Sequence, residues 1–161
     1  MITAERLREL LSYCPDTGIF RWRVPVRGSR GLGGVAGHVK GQYQCICIDK
    51  ISYRSHRLSW LHVYGRWPIG EIDHINCDGF DNRIKNLREA TPGLNQANRT
   101  KTRRNTSGFK GVSRRSDGKA WVALIQKNGK AHHLGRFETR EDAAAAYARA
   151  TVSLNGEFHR L

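Results

Sequence analysis

A chain of 161 residues with 28 Lys and Arg against 14 Asp and Glu carries a formal charge of +14 and a pI near 10.3. That imbalance points to a polyanionic partner, nucleic acid first, and the length suits one domain or two small ones. No apolar run is long enough to span a membrane, and the opening MITAERLREL is too charged for a secretory core, so the expected compartment is the cytoplasm.

Residues 3–12, TAERLRELLS, place Leu7, Leu10 and Leu11 at helical spacing behind Thr3, a natural N-cap, and predict an amphipathic helix. CPDTG at 14–18 reads as a turn, with glycine free to take positive φ. GIFRWR and GQYQCICID alternate in strand fashion on either side of a Gly-rich stretch, 27–34. The four cysteines (14, 45, 47 and 77) lack Cys-x-x-Cys spacing, so no structural zinc is expected; Cys45 and Cys47 read as reduced thiols packing from one strand face. SHRLSWLHVYG at 55–65 predicts a short helix ended by Gly65, with His62 in a structural place. TPGLNQANR at 91–99 predicts another, capped by Thr91 with Pro92 at its first position, so that Asn95 and Asn98 share a side.

Composition shifts over 99–107, RTKTRRNTS, which has neither an acid nor an apolar side chain. It reads as a cationic linker suited to lie along phosphates. The pattern then restarts: GFKGVSRR, KAWVALIQK and KAHHLGRF predict three strands joined at Asp117-Gly118 and Asn128-Gly129. A helix follows, opened by a Thr139/Asp142 capping box and closed by Asn155-Gly156. The expected architecture is α+β, in two units.

One stretch runs against the basic background. EIDHINCDGFDNRIKN at 71–86 gathers Glu71, Asp73, Asp78 and Asp81 with three asparagines around His74. A neutral histidine takes a proton well near pH 7, and Asp and Asn oxygens suit a hard divalent cation; together they could hydrolyse a phosphodiester. Local carboxylates would then supply the charge a cation needs. Taken singly, each residue has an ordinary reading: a hydrogen-bonded Asp-His pair, a DGFDN surface turn, a turn or capping role for Asn86, a solvated helix position for Asn95. The ordered set carries the chemical reading.

Asp73-His74, then Asn86-Leu87, then Asn95, together with SHRLSW and DNRIKNLREATPGLNQAN, resembles the HNH endonuclease signature in the form found in bacteriophage homing enzymes, over residues 1–99. The resemblance implies a ββα-metal core over about 70–99: a strand through 71–75, an ordered loop over 76–83, a strand near 87–90 and a helix from Thr91. It implies His74 as general base, Asp73 and Asn95 as ligands of one divalent metal (Mg²⁺, or Mn²⁺), and Asn86 as the residue that orients the loop. Asn82 and Asn98 could brace the loop or contact phosphate. His56 and Arg57 could approach phosphates, or His56 could be a buried helix residue. Cys77 stands where glycine is commoner in similar sequences.

Residues 107–161 resemble a second family, the Apetala/ethylene-response-factor-type DNA-binding domain, through SGFKGVSRR, GKAWVALI, GKAHHLGRFETREDAAAAYARA and LNGEF. That resemblance implies a three-stranded sheet on one helix, with the outer sheet face in the major groove of double-stranded DNA. Period-2 alternation places Trp121, Ala123 and Ile125 under the helix and Val122, Leu124 and Gln126 outward. Lys110, Arg115, Lys119, Gln126 and His133 fall at the family's DNA contacts, with Arg114 and Lys127 beside phosphates; Arg99, Lys101, Arg103 and Arg104 of the linker 100–106 and its edge would track the backbone. Ser113, Asp117, Val122 and Leu124 depart from the family pattern and imply looser sequence preference. In the first half, Arg21, Arg23, Lys40, Gln42 and Gln44 at alternate positions could form a DNA-facing row or an exposed sheet face. The combined reading is a metal-dependent homing-type DNA endonuclease that nicks one strand per chain; a double-strand break would take a homodimer or sequential nicks. A non-catalytic DNA-binding regulator retaining an HNH-like fold is the rival, and an RNA-binding protein a second.

Overall fold

The computed structural model describes residues 1–25, 31–99, 101, 105–127 and 129–158. The chain divides into two compact units, Met1–Ala90 and Thr91–Leu161. The division falls ahead of the basic run 99–107, and within the second unit the Lys110 ammonium donates to the Ala97 carbonyl.

In the first unit, helix α1 (Ala4–Leu10) begins where the Thr3 hydroxyl accepts from the Arg6 N–H at 3.2 Å. It stops at Leu10 rather than running to Ser12. Leu11 turns extended and opens strand β1 (Leu11–Cys14), whose backbone groups pair with β2 (Ile19–Trp22). Leu11 is fully buried, so the change of geometry keeps its side chain in the core. A second, three-stranded sheet follows: β3 (His38–Lys40), β4 (Tyr43–Ile48) and β5 (Ile51–Arg54), in the order β3-β4-β5. On β4 Cys45 is buried but Cys47 is exposed, so the expected shared packing does not form; all four cysteines are free thiols. Helix α2 (Ser55–Tyr64) closes on Gly65 at φ 70, the left-handed value that favours glycine. Leu7, Leu11, Phe20, Ile46, Leu58 and Leu61 form one core from α1, both sheets and α2.

The acidic stretch becomes a hairpin on that base. Strand β6 (Glu71–His74) pairs antiparallel with β7 (Leu87–Ala90), which a single 3₁₀ turn, Ile84–Asn86, precedes. Trp60 of α2 packs against Ile72 of β6 and Leu87 of β7.

The second unit begins with α3 (Pro92–Asn98), where the Thr91 hydroxyl accepts from the Leu94 N–H. Strands β8 (Val112–Arg114), β9 (Trp121–Lys127) and β10 (Lys130–Phe137) form an antiparallel sheet, β8-β9-β10. Helix α4 (Arg140–Asn155) covers one face, Ala143 and Tyr147 packing on Val112, Ala123 and Ile125. Gly111, at φ 68, lies so close beneath Tyr147 that a Cβ there would sit 2.1 Å from the ring. Among the described residues no helix is long and apolar enough to cross a membrane.

Candidate active site

Strand alternation sends Asp73 and His74 to opposite faces of the hairpin. Asp73, 3% exposed, lies directly across the ladder from Arg88, whose Nε and Nη2 both reach its Oδ2 at 2.9 Å. Arg88 was not among the expected site residues; the register that places it opposite Asp73 follows from how the two strands align.

His74 faces α2. Its ring meets that of His56 edge to face, centroids 4.9 Å apart at 89°, and that of Tyr43 at 6.1 Å. Tyr43 also touches His56 (5.3 Å) and carries the Arg54 guanidinium over its face at 4.6 Å. His56 and Trp60 are one turn apart on α2, just as His74 and Ile72 are two residues apart on β6. One helix face therefore reads one strand face at two points, and His56 is a buried helix residue.

The loop between the strands is held by its own polar side chains. Asn86, buried, accepts from the Asn76 N–H through Oδ1 (3.0 Å) and donates through Nδ2 to Asn76 Oδ1 (3.0 Å) and the Asp81 carbonyl (2.8 Å). Asn76, Asp78 and Asp81 each accept from the N–H two residues on, at Asp78, Phe80 and Arg83. Asp81 also pairs with the Arg83 guanidinium, which holds its carboxyl down at about 2. The carboxylates of Asp78 and Asp81 thus shape the loop, where local charge for a cation was expected. Three successive side-chain turns of i to i+2 spacing were readable in NCDGFDNR. Cys77 sits at φ 63, so this non-glycine takes the left-handed corner itself.

The loop is docked on the rest of its unit. Asn82, 1% exposed, donates to Gln44 Oε1 and the Phe80 carbonyl, while its own carbonyl accepts from the Tyr13 hydroxyl at 2.7 Å. The Ile84 N–H reaches the Pro15 carbonyl, and a Cβ at Gly18 would lie 2.6 Å from the backbone of Asn82 and Arg83. Gly79 lies against the β3–β4 turn, where a Cβ would come 2.1 Å from the Gln42 carbonyl.

Burial pushes the His74 imidazole below its ordinary value, against an opposing push from the Asn82 side chain and from Asp73, Asp78 and Asp81. His56 is pushed down to about 3 by burial, reinforced by His74, Arg54 and Arg57. Both rings are therefore neutral at pH 7. Below its ordinary value of 6.5, His56 binds a proton when unfolded but not when folded, so stability falls with pH from there toward 3. We expect a step from pH 7 to pH 5 to cost about 2 kcal/mol through this histidine. Urea unfolding at the two pH values should show that loss in wild type and a loss smaller by about that amount in His56→Phe.

The other expected residues are scattered. Arg57 donates to the Gly70 carbonyl. Arg21 and Arg23 are exposed on or beside β2, and Lys40 and Gln42 at the β3–β4 turn, which is another sheet; they do not form one row. Gln44 turns toward Asn82 and the Ala36 carbonyl. In the second unit Asn95 is half-buried and Asn98 buried on α3. Arg99, Arg114, Arg115, Lys119, Gln126 and His133 are exposed. Arg115 pairs with Asp117, and Lys101 donates to the Gly108 carbonyl. Lys127, expected beside phosphate, instead donates to the Leu154 carbonyl at 2.6 Å and so caps the end of α4. Arg103, Arg104 and Asn128 lie outside the described residues. Arg136, not among the individually expected contacts, shares the outer sheet face with Val122, as His133 does with Leu124.

Residues 53–97, from the end of β5 through the hairpin and into α3, match the family model described as HNH endonuclease. Protein 3.8 of Escherichia phage T7 is 33% identical over 108 residues, which are 66% of this chain and 88% of that protein. The chain carries an HNH endonuclease domain over residues 53–97. It is a nuclease, a hydrolase. An uncharacterized HNH endonuclease, L560, of Acanthamoeba polyphaga mimivirus is 36% identical over 115 residues, 70% of this chain but 59% of that protein. No solved structure matches. The segment matched to the HNH family contains Asp73, His74, Asn86, Arg88 and His56, the residues that the hairpin and α2 assemble.

Proposed function

We propose that the protein is a metal-dependent DNA endonuclease of homing type that nicks one strand per active site. The observation that carries this reading is the imidazole of His74, walled by His56 and Tyr43, at the end of a strand whose preceding residue is the buried Asp73, on a hairpin whose loop Asn86 locks. His74 accepts the proton of the water that attacks phosphorus; Tyr43 and His56 hold its ring in one orientation. Asp73 is one oxygen donor for a divalent cation, and the amide of Asn95 is a second on the strength of its spacing after His74. Hard oxygen donors with few protein ligands suit Mg²⁺, or Mn²⁺; among the described residues no group of three or more His, Cys, Asp or Glu is placed to hold a metal ion, so the protein would supply few ligands. When bound, the cation neutralises charge on the phosphate and the departing 3′ oxygen. The order β6, β7, α3 along the chain is that of a ββα-metal module, and residues 1–99 are proposed as the nuclease part.

The second unit is proposed as a DNA anchor of Apetala/ethylene-response-factor type, joined through the basic stretch 100–106. Its support is the outer sheet face, where Gln126, His133 and Arg136 stand exposed and Lys or Arg outnumber acids. Supercoiled plasmid and phage genomic DNA, incubated with Mg²⁺ or EDTA beside an RNA control, test the whole reading. Mg²⁺-dependent conversion of supercoil to nicked circle is expected, with RNA intact. DNA retained in a gel shift but cut in neither Mg²⁺ nor Mn²⁺ would favour the regulator.

A further inference from the structure

The carboxylate proposed to hold the metal already has a cation. Arg88 places two nitrogens on one Asp73 oxygen, both at 2.9 Å, with the two side chains 13% and 4% exposed. The pairing is built in twice: the strands put the residues directly opposite, and burial removes the water that would otherwise solvate either charge. A divalent ion arriving at Asp73 would share one carboxylate with a guanidinium that cannot lose its proton. Like charges around one carboxylate repel strongly in a setting of low effective dielectric. We propose that Arg88 is a resident counter-ion of Asp73 which keeps the carboxylate ordered when metal is absent and holds the enzyme's metal affinity low. The inference rests on the reading of Asp73 as a ligand.

One consequence separates this from a merely structural ion pair. A structural pair predicts that loss of Arg88 disturbs Asp73 and weakens metal binding. A resident counter-ion predicts the opposite sign, because its removal leaves the carboxylate seeking a cation.

Calorimetric titration of the full chain with Mn²⁺ alone, without DNA, is the test. Arg88→Gln should bind Mn²⁺ about tenfold or more tightly than wild type. Arg88→Lys, which keeps the charge but not the fork, should stay close to wild type. Arg88→Met keeps the aliphatic stem, carries the same expectation as Arg88→Gln, and replaces it should that variant fail to fold. Thermal melts give a second readout: the metal-free neutral variant melts below wild type, and Mn²⁺ raises its Tm by more. Unchanged or weaker Mn²⁺ binding in the neutral variants overturns the proposal. Asp73→Asn in the wild-type background keeps the two failures apart. If it abolishes Mn²⁺ binding while Arg88→Gln changes nothing, only the counter-ion role falls; if it binds Mn²⁺ normally, the ligand assignment falls and takes this inference with it.

Discussion

His74→Ala should slow plasmid nicking by about a hundred- to ten-thousand-fold, the range for loss of a positioned general base. DNA binding should persist, because the contacts proposed for phosphates lie on other residues. The side chain being removed is walled by His56 and Tyr43, so alanine should leave a gap lined by their rings. That geometry suggests chemical rescue: added imidazole should fit the gap and restore part of the rate, increasingly as pH rises through the imidazole pKa. A gel-based nicking assay with and without imidazole decides it. If the variant nicks within about threefold of wild type, His74 is not the base, however well its ring is placed.

Asn86→Ala should be the most damaging neutral substitution for the fold of the hairpin. Its side chain satisfies the Asn76 N–H, the Asn76 amide oxygen and the Asp81 carbonyl at once, from a site 7% exposed. Groups left without partners in such a place cost about 1–3 kcal/mol each, and partial access to water lowers the sum, so a loss of about 3 kcal/mol is expected in urea unfolding. Asn86→Asp should fare no better, since a second carboxylate oxygen would face two acceptors where an amide N–H₂ now donates. Hydrogen exchange at the Asn76 and Asp78 amides should quicken in both variants. Stability within about 0.5 kcal/mol of wild type would show that the loop is held from elsewhere.

What the sequence disclosed was mostly local. Caps at Thr3, Thr91 and Thr139 and the glycine stop at Gly65 need only neighbouring residues to be recognised, and each makes the hydrogen bond or dihedral its type demands. The inward rank of Ala123 and Ile125 follows from period-2 alternation. Leu11 misled because a leucine at helical spacing buries equally well in a strand, and strand pairing with Ile19–Trp22 decided the matter. The site's walls were hidden for a different reason. Tyr43, His56 and His74 come from three elements, and Asp73 meets Arg88 only once a hairpin register is chosen. The acids of DGFDN carry a second signal, since their i to i+2 spacing to backbone N–H groups marks turns that compete with a cation site.

The docking of the 75–83 loop bears on how this nuclease can be cut down or grafted. Its supports, Tyr13, Pro15, Gly18 and Gln44, all precede residue 53, where the match to the family model begins. A fragment trimmed to that match would carry every proposed chemical group yet lack the scaffold that shapes them. Transplanting the activity onto another protein therefore means moving the first half of the chain with it.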